Sequence, residues 1–178
     1  MKTIDLHFID ILHNSIRAKA TKIIISIEDN FEKNIFSIKI IDNGCGIDEE
    51  TLNSITNTFY SSRKERKIGM GIALLKYHSE LTGGNFEIKS ELGKGTEISA
   101  LFVPNNIDMQ PLGDLADVFA NFICQYNDIE FELSYNLDNE LFELTTSDIK
   151  EVFEGIELNN FEIIQNLKEL IKSNICRN

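Results

Sequence analysis

No stretch of this sequence approaches the ~20 consecutive apolar residues that span a bilayer. The opening residues, Met1-Lys2-Thr3-Ile4-Asp5, lack the apolar core of a secretory signal, so a cytoplasmic location is expected. Cysteine is scarce: Cys45, Cys124 and Cys176 are odd in number, far apart, and form no CxxC pair. That argues against a zinc site built on cysteines and favours reduced thiols in a reducing compartment. There are no repeats and no low-complexity segments. Positive charge is nearly missing from one half of the chain. Residues 105–178 hold 4 Lys+Arg against 15 Asp+Glu, a net of −11, while residues 1–104 are close to neutral at −1. Such a half repels nucleic acid and anionic membrane, so neither is an expected partner. It suits a basic protein partner, with a merely solvated acidic surface as the plainer reading.

What is present is globular: 42% hydrophobic and 26% charged residues leave little room for disorder. The only two prolines, Pro104 and Pro111, bracket a polar stretch without periodicity, and the charge shift falls at the same place. They set a boundary between a first domain, residues 1–104, and an acidic α+β appendage, residues 105–178. In the first part the patterning predicts a helix over 5–18, a hairpin of two strands over 22–28 and 35–41, and a short helix over 48–55. A second helix follows over 69–81, with a strand pair over 85–90 and 96–103. In the second part it predicts a helix over 112–124, strands over 129–135 and 140–144, and short helices over 148–153 and 160–173. On the first helix Phe8, Ile9, Leu12 and Ile16 read as the apolar face. His7, Asp10, Asn14 and Ala18 read as a polar face turned to water or a ligand.

Four short motifs carry chemistry. Asp42-Asn43-Gly44-Cys45-Gly46-Ile47 follows an apolar strand. A carboxylate at a strand end accepts from an exocyclic amine, and the glycines let the backbone turn and approach a planar ring. Gly69-Met70-Gly71-Ile72-Ala73-Leu74 opens a helix, where free backbone N–H groups and the helix dipole favour phosphate. Arg63, Lys64, Arg66 and Lys67 precede it in a polar segment with little to bury, which is expected to order on ligand binding. Gly93-Lys94-Gly95-Thr96 joins two strands. Asp10 and Asn14 stand at i and i+4; an Asn carbonyl suits Mg²⁺, and a carboxylate one turn away can handle a water. Each motif alone reads equally well as a turn or a solvated surface.

In this order and spacing the motifs resemble the GHKL group of ATP-binding domains, which includes histidine kinases, DNA gyrase, MutL-type repair proteins and heat-shock chaperone ATPases. The N box resembles Asp10–Ala18, the three glycine boxes resemble Asp42–Ile47, Gly69–Leu74 and Gly93–Thr96, and Thr58-Phe59-Tyr60 resembles the phenylalanine motif before a kinase ATP lid. The likeness spans residues 5–103. It implies a two-layer α/β sandwich, a mixed and mainly antiparallel sheet with helices on one face. It also implies ATP and Mg²⁺ as cofactors. Asn14 would bind the metal, and Asp42 would accept from the adenine amine. Gly44 and Gly46 would line the ring site, with Gly95 and Thr96 supporting the adenine. Gly69 and Gly71 would face the phosphates, and Arg63, Lys64 and Lys67 would sit on the lid. The group usually has Glu where Asp10 stands, so Asp10 is the expected catalytic position with a shortened reach, and hydrolysis is expected to be slow or lost. With the N box beginning almost at Met1, no phospho-accepting helical segment is expected ahead of it. The implied function is a nucleotide-dependent switch with a protein partner; the alternatives are a serine or histidine kinase acting on a separate partner and a non-catalytic nucleotide-binding interaction protein.

Overall fold

The computed structural model of the chain describes residues 2–57 and 71–176. Twelve elements follow in order: α1 (Ile4–Arg17), β1 (Lys22–Asn30), β2 (Ile35–Asp42), α2 (Glu49–Asn57), α3 (Gly71–Leu81), β3 (Asn85–Glu91), β4 (Gly95–Phe102), α4 (Leu115–Gln125), β5 (Glu130–Leu137), β6 (Glu140–Thr145), α5 (Thr146–Val152) and α6 (Phe161–Ile175). The six strands make one sheet in the order β3-β4-β2-β1-β5-β6. Every neighbouring pair is antiparallel except β1 with β5, so the sheet is mixed and mainly antiparallel, as expected.

Local chemistry explains the central hairpin. Ile23, Ile25 and Ile27 of β1 alternate with polar or half-buried residues, and β-branched side chains favour a half-buried pleat. The reversal into β2 uses Asn34 at φ +54, a left-handed position that Asn tolerates, and Asn30 Oδ1 accepts from Lys33 N at 2.8 Å. In register, Ile25, Ile40 and Ile98 line up across β1, β2 and β4, and Phe36 lies beside Phe102. These residues face the helices and are almost fully buried. Each such side chain contributes about 1.5–3 kcal/mol relative to exposure. On the opposite face, Lys22 pairs with Glu132 at 2.7 Å and Lys39 with Glu97 at 3.0 Å. The alternation therefore sorts the strands into a helix-covered face and a polar one.

Residues beyond Pro104 have the α+β content expected of them, and they add their strands to the edge of the same sheet. Leu133 of β5 stands in register with Ile25, and Phe131 with Ile23. The connector is tied to the start of α1, where Ile4 N donates to Pro111 O and Asp5 N to Leu112 O, both at 2.9 Å. Helix α4 begins at Leu115 rather than 112. Gly113 takes φ +75, and Asp114 caps the helix by accepting from Asp117 N at 3.0 Å. Helix α6 is clamped to α4 by Lys168, whose ammonium reaches Asp117 Oδ1 at 2.8 Å and Asp114 Oδ2 at 2.9 Å. Among the described residues, no helix is long and apolar enough to cross a membrane.

Candidate functional site

Strand β2 ends at Asp42, which pairs in register with Ile23 on one side and Thr96 of β4 on the other. The carboxylate is buried and held on both oxygens: Ser15 Oγ donates to Oδ2 at 2.7 Å and Gly44 N donates to Oδ1 at 2.9 Å. Both bonds are charge-assisted and fix the orientation of the group. Each oxygen keeps acceptor capacity for a further donor. Gly95, at φ +110, lets β4 pass so close to the Asp42 carbonyl that any side chain there would collide with it. Gly46, at φ +70, lies equally close to the Glu91 carbonyl. The two glycines therefore bring the turn after β2 against the β3–β4 turn.

A hydroxyl pair secures that junction. Ser90 and Thr96 are cross-strand partners, and their Oγ and Oγ1 atoms lie 2.9 Å apart. Ser90 Oγ also donates to Gly95 O at 2.9 Å and accepts from Ile47 N at 2.8 Å. With the single Ser90 proton on Gly95 O, the Thr96 hydroxyl is the donor to Ser90.

Above this floor is a pocket of about 500 Å³, lined by Asn14, Asp42, Gly46 and Thr96 among the residues expected from sequence. Ile11, Ile47, Ile72 and Ile98 give it apolar walls, and Ser15, Arg17, Ala18 and Cys45 complete it. Apolar walls around one fixed carboxylate suit a planar ring that carries an amine. Gly44 stands behind Asp42, and Gly95 sits at the strand junction; neither lines the pocket.

Helix α1 places Asn14 at the pocket edge. Its Oδ1 accepts from Arg17 Nη1 at 3.2 Å, while its Nδ2 is buried without a partner among the described residues. A buried amide left half-satisfied costs free energy unless a ligand completes its surroundings. The unpartnered Nδ2 suits a phosphate oxygen, and Oδ1 would reach a hard cation on those phosphates by giving up its bond to Arg17. The described residues hold no cluster of three or more His, Cys, Asp or Glu, so protein groups alone do not form a metal cage there. Asp10, one turn earlier, packs against the first residue of α3. A Cβ on Gly71 would sit 2.6 Å from Asp10 Oδ2, so the glycine is what admits the carboxylate to that helix end.

His7 departs from the sequence reading. It is fully buried, not on a solvent-facing polar side, because α1 is packed by α3 and α4. The buried stripe is Ile4, His7, Phe8, Ile11, Leu12 and Ser15, rotated from the expected one, which leaned on Ile9 and Ile16. His7 Nε2 bonds to Gln110 Oε1 at 2.9 Å, and the His78 ring stands edge-on at 5.5 Å. Burial lowers the pKa of His7, partly offset by Gln110 and reinforced by His78; burial also lowers that of His78. His7 is a packing residue.

Arg63, Lys64, Lys67, Gly69 and the Thr58-Phe59-Tyr60 motif lie outside the described residues. Sequence reasoning assigned no role to Ser15, Ser90, Arg17 or Cys45. Ser15 had a signal in its place beside Asn14; Ser90 had none until the β3–β4 register set it opposite Thr96.

Residues 3–107 match the family described as histidine kinase-, DNA gyrase B-, and HSP90-like ATPase. The chain belongs to this ATPase family. Among curated relatives, it is 32% identical over 99 residues to sensor histidine kinase YvrG of Bacillus subtilis, covering 52% of this chain and 17% of that protein. It is 30% identical over 100 residues to signal transduction histidine-protein kinase ArlS of Staphylococcus aureus, covering 53% of this chain and 22% of that one. The chain thus matches a fifth or so of the length of these kinases. Two solved structures share the fold. One is the N-terminal domain of a DNA repair protein, with TM-score 0.59, 18% identity, and cover of 87% of this chain and 58% of that one. The other is the Aquifex aeolicus MutL ATPase domain complexed with ADP, with TM-score 0.51, 16% identity, and cover of 86% and 70%. Such cover carries the structural likeness past residue 107, into the segment that contributes β5 and β6.

Proposed function

We propose that this chain binds ATP with Mg²⁺ in the pocket above Asp42 and uses the nucleotide as a switch, with slow or no hydrolysis. The observation that carries the reading is the buried Asp42 carboxylate, pinned by Ser15 and Gly44 at the base of a cavity with isoleucine walls. The adenine amine donates to Asp42, and Thr96 supports the ring through its hydroxyl. Asn14 would hold the metal, which would supply charge neutralisation to the phosphates. Gly71 faces the phosphates at the start of α3; Arg63, Lys64, Lys67 and Gly69 have the corresponding roles in this reading on sequence grounds alone. The free thiols fit a reducing, cytoplasmic compartment.

Slow turnover is supported by Asp10. Its side chain is one methylene shorter than Glu and packs tightly against Gly71. A displacement near 1 Å of a group handling water costs on the order of 100-fold in rate. A second reading, kinase action on a separate protein, is favoured by the sensor histidine kinase relatives. Incubation with γ-labelled ATP, alone and with candidate partner proteins, separates them. The switch reading expects label to stay on ATP, with only a trickle of free phosphate, and Asp10→Glu to raise that trickle. Label on a partner would establish the kinase reading. Fast phosphate release by the wild type would sink the switch.

A further inference from the structure

The end of α5, the residues joining it to α6 and the start of α6 expose large apolar side chains. Val152, Ile156 and Phe161 are 75%, 55% and 75% exposed, three large apolar side chains within ten positions. The backbone that presents them is pinned. Leu158 between them is buried, Ile156 N donates to Phe153 O at 3.0 Å, and Asn160 caps α6 by accepting from Glu162 N at 2.9 Å. Glu151, Glu154, Glu157 and Glu162 alternate with the apolar residues and are all exposed. The ion pairs described for the chain include none of these four carboxylates. Lys150 is the single cation in the stretch.

We propose that this face docks a basic amphipathic segment of a protein partner. The apolar side chains supply the buried centre and the glutamates a rim that pairs with Lys and Arg. Charge selects among occupants. A second copy on the same face would stack these glutamates against each other. Nucleic acid and an anionic membrane would meet a chain half of net charge −11. The surface is independent of the nucleotide pocket, and its test does not rely on ATP binding.

The experiment titrates the full chain into a fluorescent synthetic Leu/Lys amphipathic helix and reads anisotropy, beside a control peptide of equal charge with every Leu replaced by Ser. The amphipathic peptide is expected to bind about ten-fold tighter or better than the control. The Val152→Ser/Phe161→Ser variant should lose about ten-fold for that peptide with an unchanged melting temperature, since both side chains are exposed. Glu154→Lys/Glu157→Lys should weaken binding without touching the apolar residues. Equal binding of the two peptides, or a folded serine variant that binds as well as wild type, would overturn the proposal. Self-association of the wild type that the serine variant abolishes would assign the face to a second copy and overturn it too.

Discussion

The Asp42 carboxylate is useful because other residues hold it in place. Ser15 and Gly44 each donate to one oxygen, so the acceptor does not have to be ordered when a ligand arrives. Cys45 gives a direct readout of occupancy. It is exposed at the pocket wall, Cys176 is exposed away from it, and Cys124 is buried, with its thiol pushed up to about 11. ATP should slow alkylation of Cys45 and leave Cys176 unchanged, read by mass spectrometry of the modified peptides; equal rates with and without ATP would place the nucleotide elsewhere. Asn14→Ala should remove the Mg²⁺ dependence of ATP binding while sparing adenosine, since only the phosphate end is affected. A full metal enhancement in that variant would move the ligand off Asn14. Asp42, Asn14 and Thr96, expected from sequence because their motifs have a fixed order, line one pocket. Ser90 was not expected, because its partners Thr96, Gly95 and Ile47 converge only through strand register.

At the scale of elements, the twelve helices and strands of the described residues were readable from periodicity and turn residues, with ends off by a few positions. What periodicity could not supply was the number of neighbours around α1. A helix against one sheet hides one stripe; α1 also meets α3 and α4, which turns His7 inward. This has a pH consequence. Burial sets the pKa of His7 and His78 below the ordinary 6.5. The unfolded chain therefore binds more protons, and stability rises with pH through this range. The contribution is lost as pH falls below about 6.5 toward the lowered folded values. The described groups that act on His7 are Gln110 from the connector, His78 from α3 and the backbone of Gly71. Melting temperatures at pH 7.5 and 5.5 should fall less for His7→Gln than for wild type. An identical fall would show that other groups govern acid sensitivity.

For the whole molecule, the boundary at Pro104 marks a change of charge within a continuous sheet. Parallel pairing of β5 with β1 is a long-range feature without local signal in the sequence, so an appendage with correct helices and strands could not be placed from sequence alone. The near-neutral part, residues 1–104, carries the pocket, and the acidic part closes one edge of the sheet and exposes the Val152–Phe161 face. In the proposed function one fixed carboxylate recognises the adenine of ATP. Calorimetric titration of Mg-ATP into wild type and Asp42→Asn tests it directly. Wild type is expected to bind measurably and the variant to lose about 1.5–3 kcal/mol, roughly 10- to 150-fold in Kd. An Asp42→Asn protein that melts like wild type and binds Mg-ATP with the same affinity would contradict it.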